Sequence, residues 1–387
     1  MTPTEAFPPV YAPVKSLILT LTDECNLRCT YCYQDKQTRH MTVETMRKSI
    51  DFFLNRNVSG AEYRIYLTFF GGEPFTRLEC MEEAIAYARQ PRPNVYKQIQ
   101  FSATTNATVA SPRVERIIRN AQMSLLVSMD GGYGASVHRP FLSGRSSYDL
   151  VARNTPRLIE WSPNVVVRMT FHPQALDLVD NVKRVLELGA PSIALCPVME
   201  ASWDLDALEE AYQALADYYI LEARNGHVLP LKITNSYLRD YHQALQGRAR
   251  PIRPCGVGTS LIGIDTEGNV NPCHRFIYRP HDRLGTVDEP IMSDKRWKYV
   301  HLKSSDMIGC RGCVAESVCG GGCPAAALMS GRSLYEPHPG YCVTTRAHVR
   351  AVHRIHDTLT IENNPAFARM LRTTDDHSPV LTELASR

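Results

Sequence analysis

Along the first 225 residues, short apolar segments alternate with stretches of helical spacing. The segments are 14–21, 63–70, 99–105, 124–129, 165–171 and 192–197, each rich in β-branched or aromatic residues. Strands that alternate with helices pair in parallel, because a crossover is needed to carry the chain back to the start of the next strand. Six such units predict an α/β fold, a partial (β/α)6 barrel. A complete barrel of eight units takes about 250 residues, and here the alternation stops after Ala223. Ligands of parallel barrels sit at the carboxyl ends of the strands, so the polar residues after each strand are the candidate site.

Directly after the first segment come Cys25, Cys29 and Cys32, spaced CxxxCxxC on a loop. Three thiols suit a [4Fe–4S] cube with one iron open to a small molecule, whereas four-cysteine ligation suits an electron carrier. The alternatives are three core cysteines or part of a zinc knuckle. Structural zinc sites pair C-x2-4-C with a second pair nearby, and the next cysteine here is Cys80. Of the twelve cysteines in 387 residues, all but Cys80 and Cys196 belong to this triad or to a set of seven from Cys255 onward. Those two read as small core hydrophobes. The first 15 residues carry no apolar signal core, and no run is long enough to span a bilayer. A cytoplasmic location is expected, where cysteines serve metals rather than disulfides. The 44% apolar content fills a sizeable core. A net charge of +3 predicts neither a nucleic-acid nor a membrane partner.

Gly71-Gly72-Glu73-Pro74 follows the second strand. Glycines let the backbone approach a ligand closely, and a fixed carboxylate accepts hydrogen bonds from an ammonium group. The same residues also make an ordinary turn. Thr104-Thr105-Asn106-Ala107 ends the third strand, where Asn106 is equally a ligand contact or a turn residue. Ser128-Met129-Asp130-Gly131-Gly132 ends the fourth, followed by His138-Arg139-Pro140-Phe141 and Gly144-Arg145-Ser146-Ser147-Tyr148. The last of these also reads as the capped start of a helix. Arg168 is a charge inside an otherwise apolar fifth strand, and a buried guanidinium requires an anion.

CxxxCxxC with Tyr31 before its last cysteine, then Gly-Gly-Glu-Pro one β-α unit later, resembles the radical S-adenosylmethionine (SAM) enzymes. The resemblance implies that Cys25, Cys29 and Cys32 ligate a [4Fe–4S] cluster whose open iron chelates SAM, with Tyr31 beside it. It implies that Gly71, Gly72 and Glu73 meet the amino group of SAM, with Asn106 near its ribose and methionine end. Ser128 would face SAM, Arg168 would meet the SAM carboxylate, and Asp130 would lie on the substrate side. The stretch 128–148 is similar to that of members that modify peptides and proteins, with Met129, Ser146 and Tyr148 as departures.

After the sixth strand, residues 204–223 predict a helix that Asn225-Gly226 stops, and residues 248–254 are basic and contain prolines. The expected organisation is an extension at 1–13, the barrel at 14–225, a linker at 226–250, a small cysteine-rich domain at 251–345, and a helix and tail at 346–387. Segments 260–265 and 270–273, joined by Thr266-Glu267-Gly268-Asn269, predict a hairpin. Cys310, Cys313, Cys319 and Cys323 are spaced C-x2-C-x5-C-x3-C, which alone fits a zinc ribbon. With Cys255, Cys273 and Cys342 the order resembles the seven-cysteine SPASM pattern of radical SAM maturases. That resemblance implies two auxiliary [4Fe–4S] clusters, three clusters in all. Cys310, Cys313, Cys319 and Cys342 would ligate one fully, and Cys255, Cys273 and Cys323 would hold the other with one iron left for a different ligand. Sulfatase-maturing members usually carry Cys-Asp where this chain has Cys273-His274; Cys-His-Arg-Phe is more similar to maturases of ribosomally made peptides. His274 is a candidate acid/base catalyst, a cluster neighbour or a structural donor.

The activity the resemblance implies is that of a peptide maturase. A flavodoxin- or ferredoxin-like reductant supplies one electron, SAM is cleaved to a 5′-deoxyadenosyl radical, and hydrogen is taken from a residue of a precursor peptide or protein. Closure onto a thiol or an aromatic ring gives a thioether, carbon–carbon or ether crosslink. With only residues 1–13 ahead of the first strand, either a separate leader-peptide recognition protein or direct recognition by the barrel and SPASM surfaces is expected. The alternatives are a formylglycine-forming sulfatase maturase, a radical SAM dehydrogenase of a small molecule, and, outside enzymes, an iron–sulfur or zinc redox sensor.

Overall fold

A computed structural model describes residues 14–56, 64–92, 98–248, 255–289, 291 and 293–373. The expected extension at 1–13, residues 249–254 with the boundary placed at 251, and the tail from 374 lie outside the described residues. The six expected strands are present as β1 (Ser16–Thr22), β2 (Arg64–Gly71), β3 (Gln98–Thr105), β4 (Ser124–Ser128), β5 (Val165–Phe171) and β6 (Ile193–Pro197). Between them run α1 (Val43–Asp51), α2 (Leu78–Ala88), α3 (Pro112–Ala121), α4 (Tyr148–Trp161) and α5 (Leu178–Glu187), and α6 (Leu205–Arg224) follows β6. Each strand pairs in parallel with the next in chain order, which is the topology of an open (β/α)6 barrel. Every residue of β1 is buried, as expected of a parallel strand covered on both faces.

The helices form where local chemistry favours them. In α3 the Ser111 side chain accepts from the Val114 amide, and Pro112 occupies the first turn, where its missing N–H costs nothing. Val114, Ile117, Ile118 and Ala121 then fall on one buried face. Asp204 caps α6 by accepting from the Asp206 and Ala207 amides.

Two expectations about domain organisation need correction. The stretch expected as a linker at 226–250 carries α7 (Lys232–Leu245), which buries Leu238 and Thr234. Just before it, the Ile193 amide donates to the Pro230 carbonyl at 2.8 Å, so the segment pairs with the free edge of β6. Nor is the chain after 251 a detached unit. Strand β7 (Leu261–Ile264) pairs in parallel with β1, from Ser16↔Leu261 to Leu19↔Ile264. With β8 (Asn269–Asn271) and β9 (Gly285–Thr286), which are antiparallel, it makes one nine-stranded sheet in the order β6-β5-β4-β3-β2-β1-β7-β8-β9. The physical reason is the edge of β1: left open it would expose a row of unpaired backbone groups, and the hairpin covers it. Helices α8 (Ser293–Val300), α9 (Pro324–Met329), α10 (Pro339–Ile361) and α11 (Pro365–Arg372) complete the described chain, and α10 packs on α6 and α7 across the boundary expected at 345.

Candidate active site

The carboxyl ends of the strands enclose a cavity of about 150 Å³. Of the expected residues, Cys25, Cys29, Cys32, Tyr31, Gly71, Gly72, Asn106, Ser128 and Arg168 line it. The cysteine loop is fixed from two sides. On one side the Gly72 amide donates to Thr22 O at 2.8 Å and the Glu73 amide to Glu24 O at 3.0 Å. A Cβ on Gly72 would lie 2.0 Å from Glu24 O, so only glycine permits this approach. On the other side the Arg28 and Thr30 amides donate to the Pro140 and His138 carbonyls at 2.8 and 2.9 Å, tying the loop to the segment after β4.

Asn106 joins the strand end to the thiols. Its Nδ2 donates to Asn26 Oδ1 at 2.8 Å and lies 3.7 Å from Cys25 Sγ. Arg168 projects into the cavity from β5, and its buried Nε has no hydrogen-bond partner. A buried, unpaired Nε on the wall that the three thiols also line suits an anionic group such as the carboxylate of SAM, while the rest of the guanidinium meets the Cys196 thiol. Burial pushes the Cys25 thiol up to about 11 and raises that of Cys29. Buried thiols of this kind stay protonated at neutral pH unless a metal takes the proton's place.

Three expected residues do not reach the cavity wall. Glu73 is fully buried; its carboxylate accepts from the Asn106 amide at 2.7 Å, Thr105 Oγ1 at 2.9 Å and the Phe75 amide at 3.0 Å, and burial raises it to about 7. These bonds make it a clamp that sets Asn106 at the end of β3. Asp130 is likewise buried, accepting from Tyr31 Oη at 2.5 Å and the Thr170 amide at 3.2 Å, with Arg139 Nη1 at 3.6 Å. That triangle orients Tyr31 and occupies Asp130, which burial shifts upward. His274 is buried beneath the rings of Phe70 and Tyr33, at centroid distances of 4.6 and 6.0 Å, and its neighbour Arg275 takes the place on the wall. The 3-10 turn His274–Phe276 points the first residue into the core and the second toward the cavity.

Four of the seven later cysteines share one place. Cys310, Cys313, Cys319 and Cys342 line one cavity of about 160 Å³ with Arg332 and Arg346. Burial raises the Cys319 thiol to about 11. Cys273 and Cys323 are buried elsewhere and both act electrostatically on Arg275. The turn after Cys255 is tied to the chain just before Cys273, where the Gly258 amide donates to Pro272 O at 2.9 Å. Among the described residues, no three His, Cys, Asp or Glu side chains converge as a single bound ion would need. The four thiols around a cavity suit a larger cluster. Cys80 and Cys196 are buried in the core, 5% and 2% exposed.

The family model of the radical SAM superfamily matches residues 19–186, the stretch that carries β1 to β5 and the cysteine triad. Over 135 residues the chain is 31% identical to an uncharacterized protein of Methanocaldococcus jannaschii, covering 35% of this chain and 45% of that one, less than half of the relative's length. It is 26% identical over 355 residues to a serine-type anaerobic sulfatase-maturating enzyme of Klebsiella aerogenes, covering 86% and 84% of the two chains. It is 22% identical over 387 residues to the PqqA peptide cyclase of Gluconobacter oxydans, covering 92% and 98%. Among solved structures, that of anSMEcpe with bound AdoMet superposes with a TM-score of 0.72 at 18% identity, over 90% of this chain and all of that one, a likeness of fold.

Sequence reasoning missed several residues of the strand-end cavity. Arg139, 4% exposed, reaches Tyr31 Oη at 3.3 Å and Asn106 O at 3.4 Å as well as Asp130. A cation before a proline in a polar loop gives no pattern by itself; its role comes from three segments meeting on it. Glu200, after β6, and Lys36, after the cysteine triad, also line the cavity.

Proposed function

We propose that the chain is a radical SAM enzyme that modifies a ribosomally made precursor peptide, most simply by installing a thioether, carbon–carbon or ether crosslink. The observation that carries this reading is the convergence of Cys25, Cys29 and Cys32 with the partnerless Nε of Arg168 on one strand-end cavity. Bound there, a [4Fe–4S] cluster and SAM would supply a 5′-deoxyadenosyl radical able to take hydrogen from carbon. The chain's residues provide the rest. Arg168 binds the SAM carboxylate, Gly71 and Gly72 bring backbone close to its methionine end, and Ser128 and Asn106 contact the remainder. Asp130 and Arg139 hold Tyr31 beside the cluster loop. The enclosing barrel keeps water away, as proteins do for reactive cofactor chemistry. Cys310, Cys313, Cys319 and Cys342, and separately Cys255, Cys273 and Cys323, hold two auxiliary clusters of a SPASM-type region, and a flavodoxin- or ferredoxin-like protein supplies electrons. A separate recognition protein that presents the precursor's leader, and a cytoplasmic location, belong to the same reading. The similarity to the PqqA peptide cyclase along nearly the whole of both chains supports a peptide substrate.

A second reading, sulfatase maturation, is favoured by the 26% identity to the Klebsiella enzyme. Anaerobic reconstitution, reduction with dithionite and incubation with SAM test both. The enzyme reading expects 5′-deoxyadenosine and about twelve irons per chain for three cubes, and a Cys25, Cys29 and Cys32 triple alanine variant that keeps about eight. Iron-replete protein that yields no 5′-deoxyadenosine, with or without peptide, overturns it. Mass spectrometry then separates the readings: a peptide crosslink resists hydrazine, whereas a formylglycine aldehyde is trapped by it.

A further inference from the structure

We infer that a second cavity, adjoining that of the cysteine triad, holds an aromatic side chain of the peptide, with the stacked rings of His138 and His172 as its specificity-determining residues. The inference rests on the peptide-maturase reading and narrows it to peptides that carry an aromatic residue beside the reacting carbon. This cavity measures about 510 Å³, against about 150 Å³ for the one that the three thiols line. Both share Tyr31, Cys32, Tyr33, Val198 and Glu200 as wall, so whatever fills the larger one abuts the triad's site. Separate segments of the chain build it. Strands β4 and β5 are paired neighbours; His138 ends the 3-10 turn Ala135–His138 that follows β4, and His172 comes directly after β5. The Val198 amide donates to Phe171 O at 3.0 Å, which lays the loop after β6 beside the end of β5. Met329, the last residue of α9, joins the wall from the cysteine-rich region.

The wall is made largely of rings and sulfur. The His138 and His172 rings stack with their centres 4.5 Å apart and their planes 30° apart, and Tyr31, Tyr33 and the thioether of Met329 stand around the same space. Both imidazoles are held at an edge before any ligand arrives: His138 Nδ1 lies 3.0 Å from Thr30 Oγ1, and His172 Nδ1 accepts from the Gln174 amide at 3.4 Å. Preset rings lose little freedom when they meet a ligand. Charge plays a small part. Glu200, the one carboxylate on this wall among the described residues, accepts from Arg275 Nη2 at 2.7 Å, while burial, with His138 alongside, lowers His172 and keeps its ring neutral. Such a wall offers a charged side chain no ready counter-charge and an aliphatic one contact area alone. An aromatic side chain gains that area and also stacked, edge-to-face and sulfur contacts.

The test is a saturation-transfer NMR titration of the reconstituted, unreduced full chain with SAM, using N-acetyltyrosinamide, N-acetylphenylalaninamide and N-acetylleucinamide as probes. The aromatic probes are expected to bind about 2- to 10-fold more tightly than the leucine probe. His172→Ala is expected to shrink that margin, and His172→Phe, which keeps a ring without its nitrogens, to restore it; a merely structural role has no reason to be rescued by a ring of different polarity. A leucine probe that binds as tightly as the aromatic ones overturns the inference, and so does a margin that survives in His172→Ala or is lost equally in His172→Phe. Should His172→Ala fail to fold, Met329→Ala, at a position 42% exposed, carries the test, and an unchanged margin there overturns the inference. Assaying 5′-deoxyadenosine in the same reduced preparations separates the two failures. Its absence brings down the enzyme reading and the inference with it, whereas its formation without an aromatic margin overturns the inference alone.

Discussion

Glu73 shows how a single buried carboxylate can position the end of a strand. It accepts from two backbone amides and one hydroxyl across β2 and β3 while fully buried. Replacement by Gln puts an NH2 group where donors already point, so Glu73→Gln is expected to lose about 1–3 kcal/mol of stability and to weaken SAM binding through Asn106. Chemical denaturation and equilibrium binding of SAM check the two effects separately. His348 gives a pH dependence remote from the thiols. It is buried, its Nε2 lies 2.9 Å from Thr234 Oγ1, its ring stacks on Tyr212 at 4.8 Å, and burial lowers it to about 4. The folded chain therefore holds the neutral imidazole. Its contribution is present above the ordinary value near 6.5 and is lost as pH falls from there toward about 4. The full contribution is roughly 3 kcal/mol. Denaturation curves at pH 8 and pH 5 should differ less in His348→Gln than in wild type; an equal difference in both would remove His348 as a cause.

At the scale of elements, the turn after β2 and the loop after β1 are packed too closely for any side chain. A Cβ on Gly72 would overlap Glu24 O, and Gly71 has φ +143° with Thr22 O 2.2 Å from its notional Cβ. Gly72→Ala is expected to cost about 1–3 kcal/mol through overpacking and to push the cysteine loop outward. Lowered iron content in the reconstituted variant, alongside a lower melting temperature, is the checkable outcome. A variant with wild-type iron and stability would show that the two segments can separate without moving the thiols. The six barrel strands could be read from sequence because a buried parallel strand is a short apolar run between helices. Helix α7 could not, because most of its length is polar: Asn235, Ser236, Arg239, Asp240, His242 and Gln243 hide the few positions that pack inward.

For the molecule as a whole, the nine-stranded sheet crosses the expected domain boundary. β1 has β2 on one side and β7 on the other, while α10 lies on α6 and α7. A chain ending at residue 250 loses β7 and α10 together, exposing the edge of β1 and the inner face of α6. Such a fragment is expected to lack a cooperative thermal transition by circular dichroism, whereas the full chain melts cooperatively. Sharp melting of the fragment would restore the view of an independent barrel. The coupling has a functional side: Gly340, at the start of α10, has Met199 O 2.1 Å from its notional Cβ. The start of α10 thus presses directly on the loop that carries Glu200 into the cavity.

The sequence alone determined the strand–helix alternation and the three-thiol loop, because these depend on spacing along the chain and on the chemistry of sulfur. It also singled out Arg168, since a charge in a buried strand demands a partner. Only the tertiary structure decided which polar residues face the cavity. Glu73, Asp130 and His274 carry the right chemistry in the right segments, yet each turns into the core and takes partners there. Arg139 and Arg275, adjacent to more conspicuous residues, occupy the wall instead. The direction of a side chain at a strand end is set by contacts from segments as distant as Tyr31 and Asp130, or Arg275 and Glu200. Those contacts exist only once the sheet has brought its strand ends together.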